Sequence, residues 1–102
     1  MDDDDEREVR QLTLMADCLS RFEQGDLGIG QVIADLRGLL AALESTPQPW
    51  RDEFQGEWGD LEIEYASALE QQKPLPDVSD PVVGPAARNM VDLVKEQLRL
   101  YE

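Results

Sequence analysis

Four carboxylates set three or four residues apart, Glu53, Glu57, Asp60 and Glu64, are the side chains of this chain best spaced to do chemistry. Acids at that spacing share one face of a helix. Such a row could hold a metal, supply an acid–base pair, or present negative charge to a basic molecule. A carboxylate metal centre in a helical bundle takes Glu from two helices and Glu-x-x-His from two others. This chain has no His, and no matching inward acids are expected on its other helices. Glycoside hydrolysis needs two carboxyl groups facing each other across a cleft, one of them desolvated. One solvated row does not provide that. The D-x-[DN]-x-[DN]-G pattern of a calcium loop is also absent. The expectation is no metal, no cofactor and no enzymatic role.

What remains is a solvated helix face or a surface for a basic partner. At about 100° per residue, Trp50, Phe54, Leu61, Tyr65 and Ala68 fall in one stripe, with Trp58 and Leu69 at its edge. The acid row lies beside that stripe, not opposite it. Arg51 is the only base between Trp50 and Leu69. Like charges at these spacings cost a few tenths of a kcal/mol per pair in the free protein, so the row gains from a basic molecule against it. Trp58 is the candidate desolvated anchor. Ile63 projects away from the aromatic stripe, among Asp52, Glu62 and Glu70, and is either partly exposed or covered by a partner. The candidate partner-binding residues are therefore Glu53, Glu57, Trp58, Asp60, Ile63 and Glu64.

Two other features fail as chemical sites. Cys18 is the only cysteine, and at helical spacing it neighbours Leu14 and Phe22, which makes it a small buried apolar residue. With no His it also lacks the usual base for a nucleophilic thiol. The run "GDLGIG", Gly25 to Gly30, has neither G-x-G-x-x-G spacing nor a closing Lys-Ser/Thr pair. It is expected to be a helix–helix turn with Asp26 as the cap.

These side chains need helices to position them, and every apolar pattern has a helical period. Helix one is expected from about Asp5 to Glu23, on Val9, Leu12, Ala16 and Leu19, with Asp2 to Asp5 frayed and Gly25 as the stop. Helix two runs from about Ile29 to Leu43, apolar enough to be the most buried of the set. Helix three spans about Pro49 to Gln72. The segment "KPLPDVSDPVVGP", residues 73–85, is a proline-rich connection with a turn near Asp80–Val83, and Pro85 opens a fourth helix to about Tyr101. The expected fold is all-α: one domain over residues 1–102, a compact antiparallel four-helix bundle.

The bulk numbers agree with a folded acidic binder. The hydrophobic fraction is 41% and the net charge −14, with a pI near 4.1. A field of that sign repels nucleic acid and anionic membranes and speeds encounter with basic proteins. The excess lies within residues 1–72, and 73–102 is close to neutral. No membrane span is expected, and the acidic N-terminus is unlike a signal peptide, so a soluble, cytoplasmic protein is the expectation.

The stretch "GQVIADLRGLLAALES…WRDEFQGEWGDLEIEYASAL", within roughly residues 20–70, resembles a helical hairpin of small acidic bacterial proteins associated with toxin–immunity systems. These include contact-dependent inhibition and polymorphic toxin systems. The paired tyrosines of colicin-type nuclease immunity proteins are missing, since Tyr65 and Tyr101 stand alone. The resemblance implies a non-enzymatic inhibitor that covers a cognate toxin domain, often a basic nuclease. The alternatives are a DNA mimic or regulatory adaptor that fills a basic nucleic-acid-binding surface, and a structural bundle whose charge serves solubility.

Overall fold

The computed structural model describes residues 2–102. Its first helix, α1 (Asp3–Glu23), starts earlier than expected. Asp2 caps it, its carboxylate accepting the Asp5 N–H at 2.9 Å. Asp3, Asp4, Asp5 and Glu6 fill the first turn, where carboxylates face the positive end of the helix dipole. The acid run expected to fray is thus the start of the helix. Gly25, at φ 82°, ends α1, and the N–H of Asp26 returns to the Arg21 carbonyl at 2.8 Å. That bond closes a left-handed C-terminal cap.

Helix α2 (Ile29–Ala41) is capped by the backbone of Gly28, with no side-chain bond. Asp26, expected as its cap, serves the end of α1 through its backbone instead. Helix α3 (Gln48–Glu70) opens with Pro49 in its first turn. Gln72, at φ 54°, terminates it, with the Lys73 N–H on the Ala68 carbonyl at 2.9 Å. Helix α4 (Val83–Arg99) begins two residues before Pro85 because Asp80 prepares its entry. The Asp80 carboxylate accepts the N–H groups of Val82 at 2.8 Å and Val83 at 3.0 Å. Pro85 then sits in the first turn, where its missing N–H costs nothing. No strand occurs among the described residues.

Each helix packs against two others: α1 on α2 and α4, α3 on α2 and α4. Neighbours run antiparallel. Arg7 near the start of α1 meets Glu44 just beyond α2. Arg51 and Trp58 of α3 reach the carbonyls of Leu40 and Ile33 in reverse order, and Trp50 and Glu57 meet Leu93 and Asn89 likewise. The cross-section of 24 × 19 Å is two helices deep each way, at about 10–12 Å per helix. The bundle expected from the sequence is the fold.

Leu12, Leu19, Val32, Leu36, Phe54 and Leu61 are among the fully enclosed core residues, joined by Met90 and Val94 from α4. Helix α2, expected to be the most buried, buries five of its thirteen residues against eight of seventeen in α4; like every helix of a two-by-two bundle it keeps an open outer side. Gln31, Ala34, Gly38, Ala41 and Ala42 are exposed there.

Candidate partner-binding surface

The connection between α2 and α3 fixes how α3 is presented, and two charged side chains hold it. Glu8 of α1 is buried. Its carboxylate accepts the backbone N–H groups of Glu44 and Ser45 and, at 3.1 Å, the hydroxyl of buried Thr46. From the other side, the Arg51 guanidinium donates to the carbonyls of Thr46 at 3.0 Å, Leu40 at 3.3 Å and Leu43. The free carbonyls at the end of α2 thus find a cation, which the helix dipole also favours. Trp50 and Phe54 stack with ring centroids 5.2 Å apart. The Trp50 indole N–H donates to the Leu93 carbonyl at 3.0 Å, locking α3 onto α4.

On this framework the acid row lies along the α4 side of α3. Glu53 and Glu57 line a cleft of about 330 Å³ with Asn89, Asp92, Leu93 and Glu96 of α4. The Asn89 amide donates to Glu57 at 3.3 Å. Asp60, exposed, and Glu64, half-buried, continue the row along the helix. Among the described residues the ion pairs are Arg7–Glu44, Arg21–Asp17 and Arg37–Glu62. None of them takes a carboxylate of the cleft or the row. No set of three His, Cys, Asp or Glu side chains gathers as metal ligands among the described residues.

Trp58 and Ile63 sit elsewhere. Consecutive helix positions differ by about 100°, and where Glu57 faces α4, Trp58 faces α2. Trp58 is half-buried. Its indole N–H donates to the Ile33 carbonyl at 3.0 Å, and the Arg37 guanidinium lies 5.2 Å over its ring. Ile63 is 65% exposed on the outer face of α3. The six candidate residues are therefore spread over three sides of one helix: four acids together, Trp58 and Ile63 each apart. Sequence reasoning missed Asn89, Asp92 and Glu96. Their three- and four-residue steps mark one face of α4, but nothing in the sequence says that α3 is the neighbour of that face.

Three ionisable groups outside the row are displaced from their ordinary values. Burial first, then the charges of Asp35 and Asp17, push the Cys18 thiol up from 9.0 to about 11. Burial, then Glu8 and Asp5, raises the Tyr101 phenol. Hydrogen bonds from the Ser79 hydroxyl and N–H lower the exposed Asp77 carboxyl in the 73–82 connection.

No family model, no curated protein and no solved structure matches the chain. No helix is long and apolar enough to cross a membrane among the described residues.

Proposed function

We propose that this chain is a non-enzymatic binding protein that docks a basic protein domain on the acidic edge formed by α3 and α4, acting as the immunity partner of a bacterial toxin. One observation carries the reading: the carboxylates of Glu53, Glu57, Asp92 and Glu96 share a cleft, and none has a cationic partner among the described residues. A free protein gains nothing from such crowding. A basic partner turns the repulsion into attraction and is steered by it. The non-enzymatic part rests on chemistry. There is no His, and the single thiol is buried and held protonated far above neutrality.

The test is capture from cells of the native host at low and high salt, comparing the wild-type chain with the Glu53→Lys/Glu57→Lys double variant. A basic protein retained by the wild type at low salt and lost from the variant supports the reading. Equal retention by both removes the acidic edge as the docking surface. If duplex DNA displaces the partner, the partner's basic groove is a nucleic-acid site and the chain is a DNA mimic.

A further inference from the structure

Helix α2 is apolar almost all round: Gln31, Asp35 and Arg37 are its only polar side chains between Ile29 and Ala41. Its large apolar residues pack into the bundle, against α1 and α3. Its outward face, Gln31, Ala34, Gly38, Ala41 and Ala42, is exposed and carries no charge, in a chain whose net charge is −14. Gly38 has no reason inside the chain to lack a side chain, since a Cβ built there meets nothing within 4 Å. Mid-helix glycine costs roughly 0.5–1 kcal/mol against alanine. Gly56 and Gly59 of α3 are open in the same way; at Gly38 the missing side chain also leaves the ridge low enough for close approach from outside.

A groove flanks this face on each side, and the two grooves differ in charge. Toward α3 a groove of about 270 Å³ is lined by Arg37, Arg51, Leu40 and Trp58, with no acid among its lining residues. Toward α1 a groove of about 420 Å³ carries Asp17 and Asp35 with Arg21 over an apolar floor of Leu14, Leu27 and Leu39. Leu14 is 46% exposed. With Arg37 paired to Glu62 and Asp17 to Arg21, the first groove keeps the positive charge of Arg51 and the second the negative charge of Asp35, and the uncharged ridge of α2 separates them.

We propose that the outer face of α2 is a homodimer interface, with the two copies related by a two-fold axis running parallel to α2. That axis sets the basic groove of each copy against the acidic groove of its mate, so the charge match is made twice. An axis perpendicular to α2 would instead set arginine against arginine and aspartate against aspartate. The small residues of the ridge let the two α2 helices pack at the short end of the usual 8–10 Å spacing. The unpaired carboxylates on the α3–α4 edge lie on the far side of α3 from this face, so dimerisation leaves them open. The patch is small for an interface, so the dimer is a concentration-dependent one. This inference is independent of the toxin-binding reading.

Sedimentation equilibrium of the purified chain, loaded from low to high micromolar, tests it. The weight-average mass should rise from 11.5 kDa toward twice that value. Gly38→Glu, which adds charge at the ridge where no intramolecular contact is disturbed, should abolish the rise while circular dichroism stays helical. The orientation is tested by charge exchange at the rims. Asp35→Arg alone and Arg37→Glu alone should each weaken association by about tenfold, and the double variant should recover most of it. A wild-type chain that stays at monomer mass throughout overturns the proposal, and so does a Gly38→Glu variant that associates as well as the wild type. Failure of the double variant to recover overturns the parallel two-fold.

Discussion

At the scale of single residues, the two charges that matter most for the fold have opposite signs and one job. Glu8 accepts from the N–H groups of the α2–α3 connection and Arg51 donates to its carbonyls. Replacing Glu8 by Ala strands two backbone donors and the Thr46 hydroxyl in a buried place. Unsatisfied buried groups cost about 1–3 kcal/mol each, so a loss of roughly 3–5 kcal/mol is expected in urea unfolding, and a loss under about 1 kcal/mol would mean that water replaces the carboxylate. Glu8 was open to discovery in the sequence, for it stands at the same three- and four-residue steps as buried Leu12, Met15, Leu19 and Phe22. A charge inside an apolar stripe must find partners, but the partners, 36 to 38 residues on, could not be read from spacing. Cys18 gives a second prediction. Its folded value near 11 exceeds the unfolded value of 9.0. The unfolded thiol therefore loses its proton first, and stability present below pH 9 falls away as pH rises toward about 11. Tyr101, also raised, adds to the alkaline loss. Urea midpoints across that range should fall more steeply for the wild type than for Cys18→Ala, and parallel curves would deny the thiol any part.

At the scale of elements, the same substitution should have opposite signs in two helices. Gly56 and Gly59 lie within α3, and a Cβ at either meets nothing within 4 Å. Alanine there should stabilise the chain by roughly 0.5–1 kcal/mol per site, by lowering the entropy lost on helix formation. Gly84 opens α4 against the connection, where a Cβ would stand 2.3 Å from the Val78 carbonyl oxygen. Gly84→Ala should cost about 1–3 kcal/mol, as other overpacked sites do. Chemical unfolding of the three variants decides it: a Gly84→Ala chain as stable as the wild type would show that the connection yields freely. A core reference is Leu36→Ala, fully buried in α2, with an expected loss of about 2–5 kcal/mol. The helices themselves were legible because their apolar residues repeat at a helical period, and ends marked by Gly25 and Pro49 were placed within a residue or two. What spacing does not show is which group makes an end. Asp80 pulls the start of α4 forward, whereas Asp26, which looks like a cap, leaves α2 to the backbone of Gly28.

At the scale of the whole molecule, the pattern of charge is a matter of which helix stands next to which. The sequence shows the acid row of α3 and, separately, Asp92 and Glu96 on α4, but only the square arrangement of the bundle brings the two rows to one cleft. The same arrangement turns Trp58 toward α2 and parts it from the acids beside it in sequence. The cleft makes a prediction about the free protein that needs no partner. Glu57 has Glu53 and Asp60 as helical neighbours, and Asp92 and Glu96 line the cleft with it. At a few tenths of a kcal/mol per like-charge pair, Glu57→Lys should stabilise the free chain by about 0.5–1 kcal/mol at low salt, even with the Asn89 hydrogen bond lost. The gain should shrink as salt rises, because the Debye length falls from about 10 Å at 0.1 M to about 3 Å at 1 M. Thermal melts of the two proteins at low and high salt would show it. The same substitution should slow association with a basic partner, so that the change which stabilises the chain is the one that impairs binding. A Glu57→Lys variant no more stable than the wild type at low salt would mean that the carboxylates are hydrated well enough to ignore one another. Their crowding would then be no argument for a cation-bearing partner, and the charge of the edge would serve solubility alone.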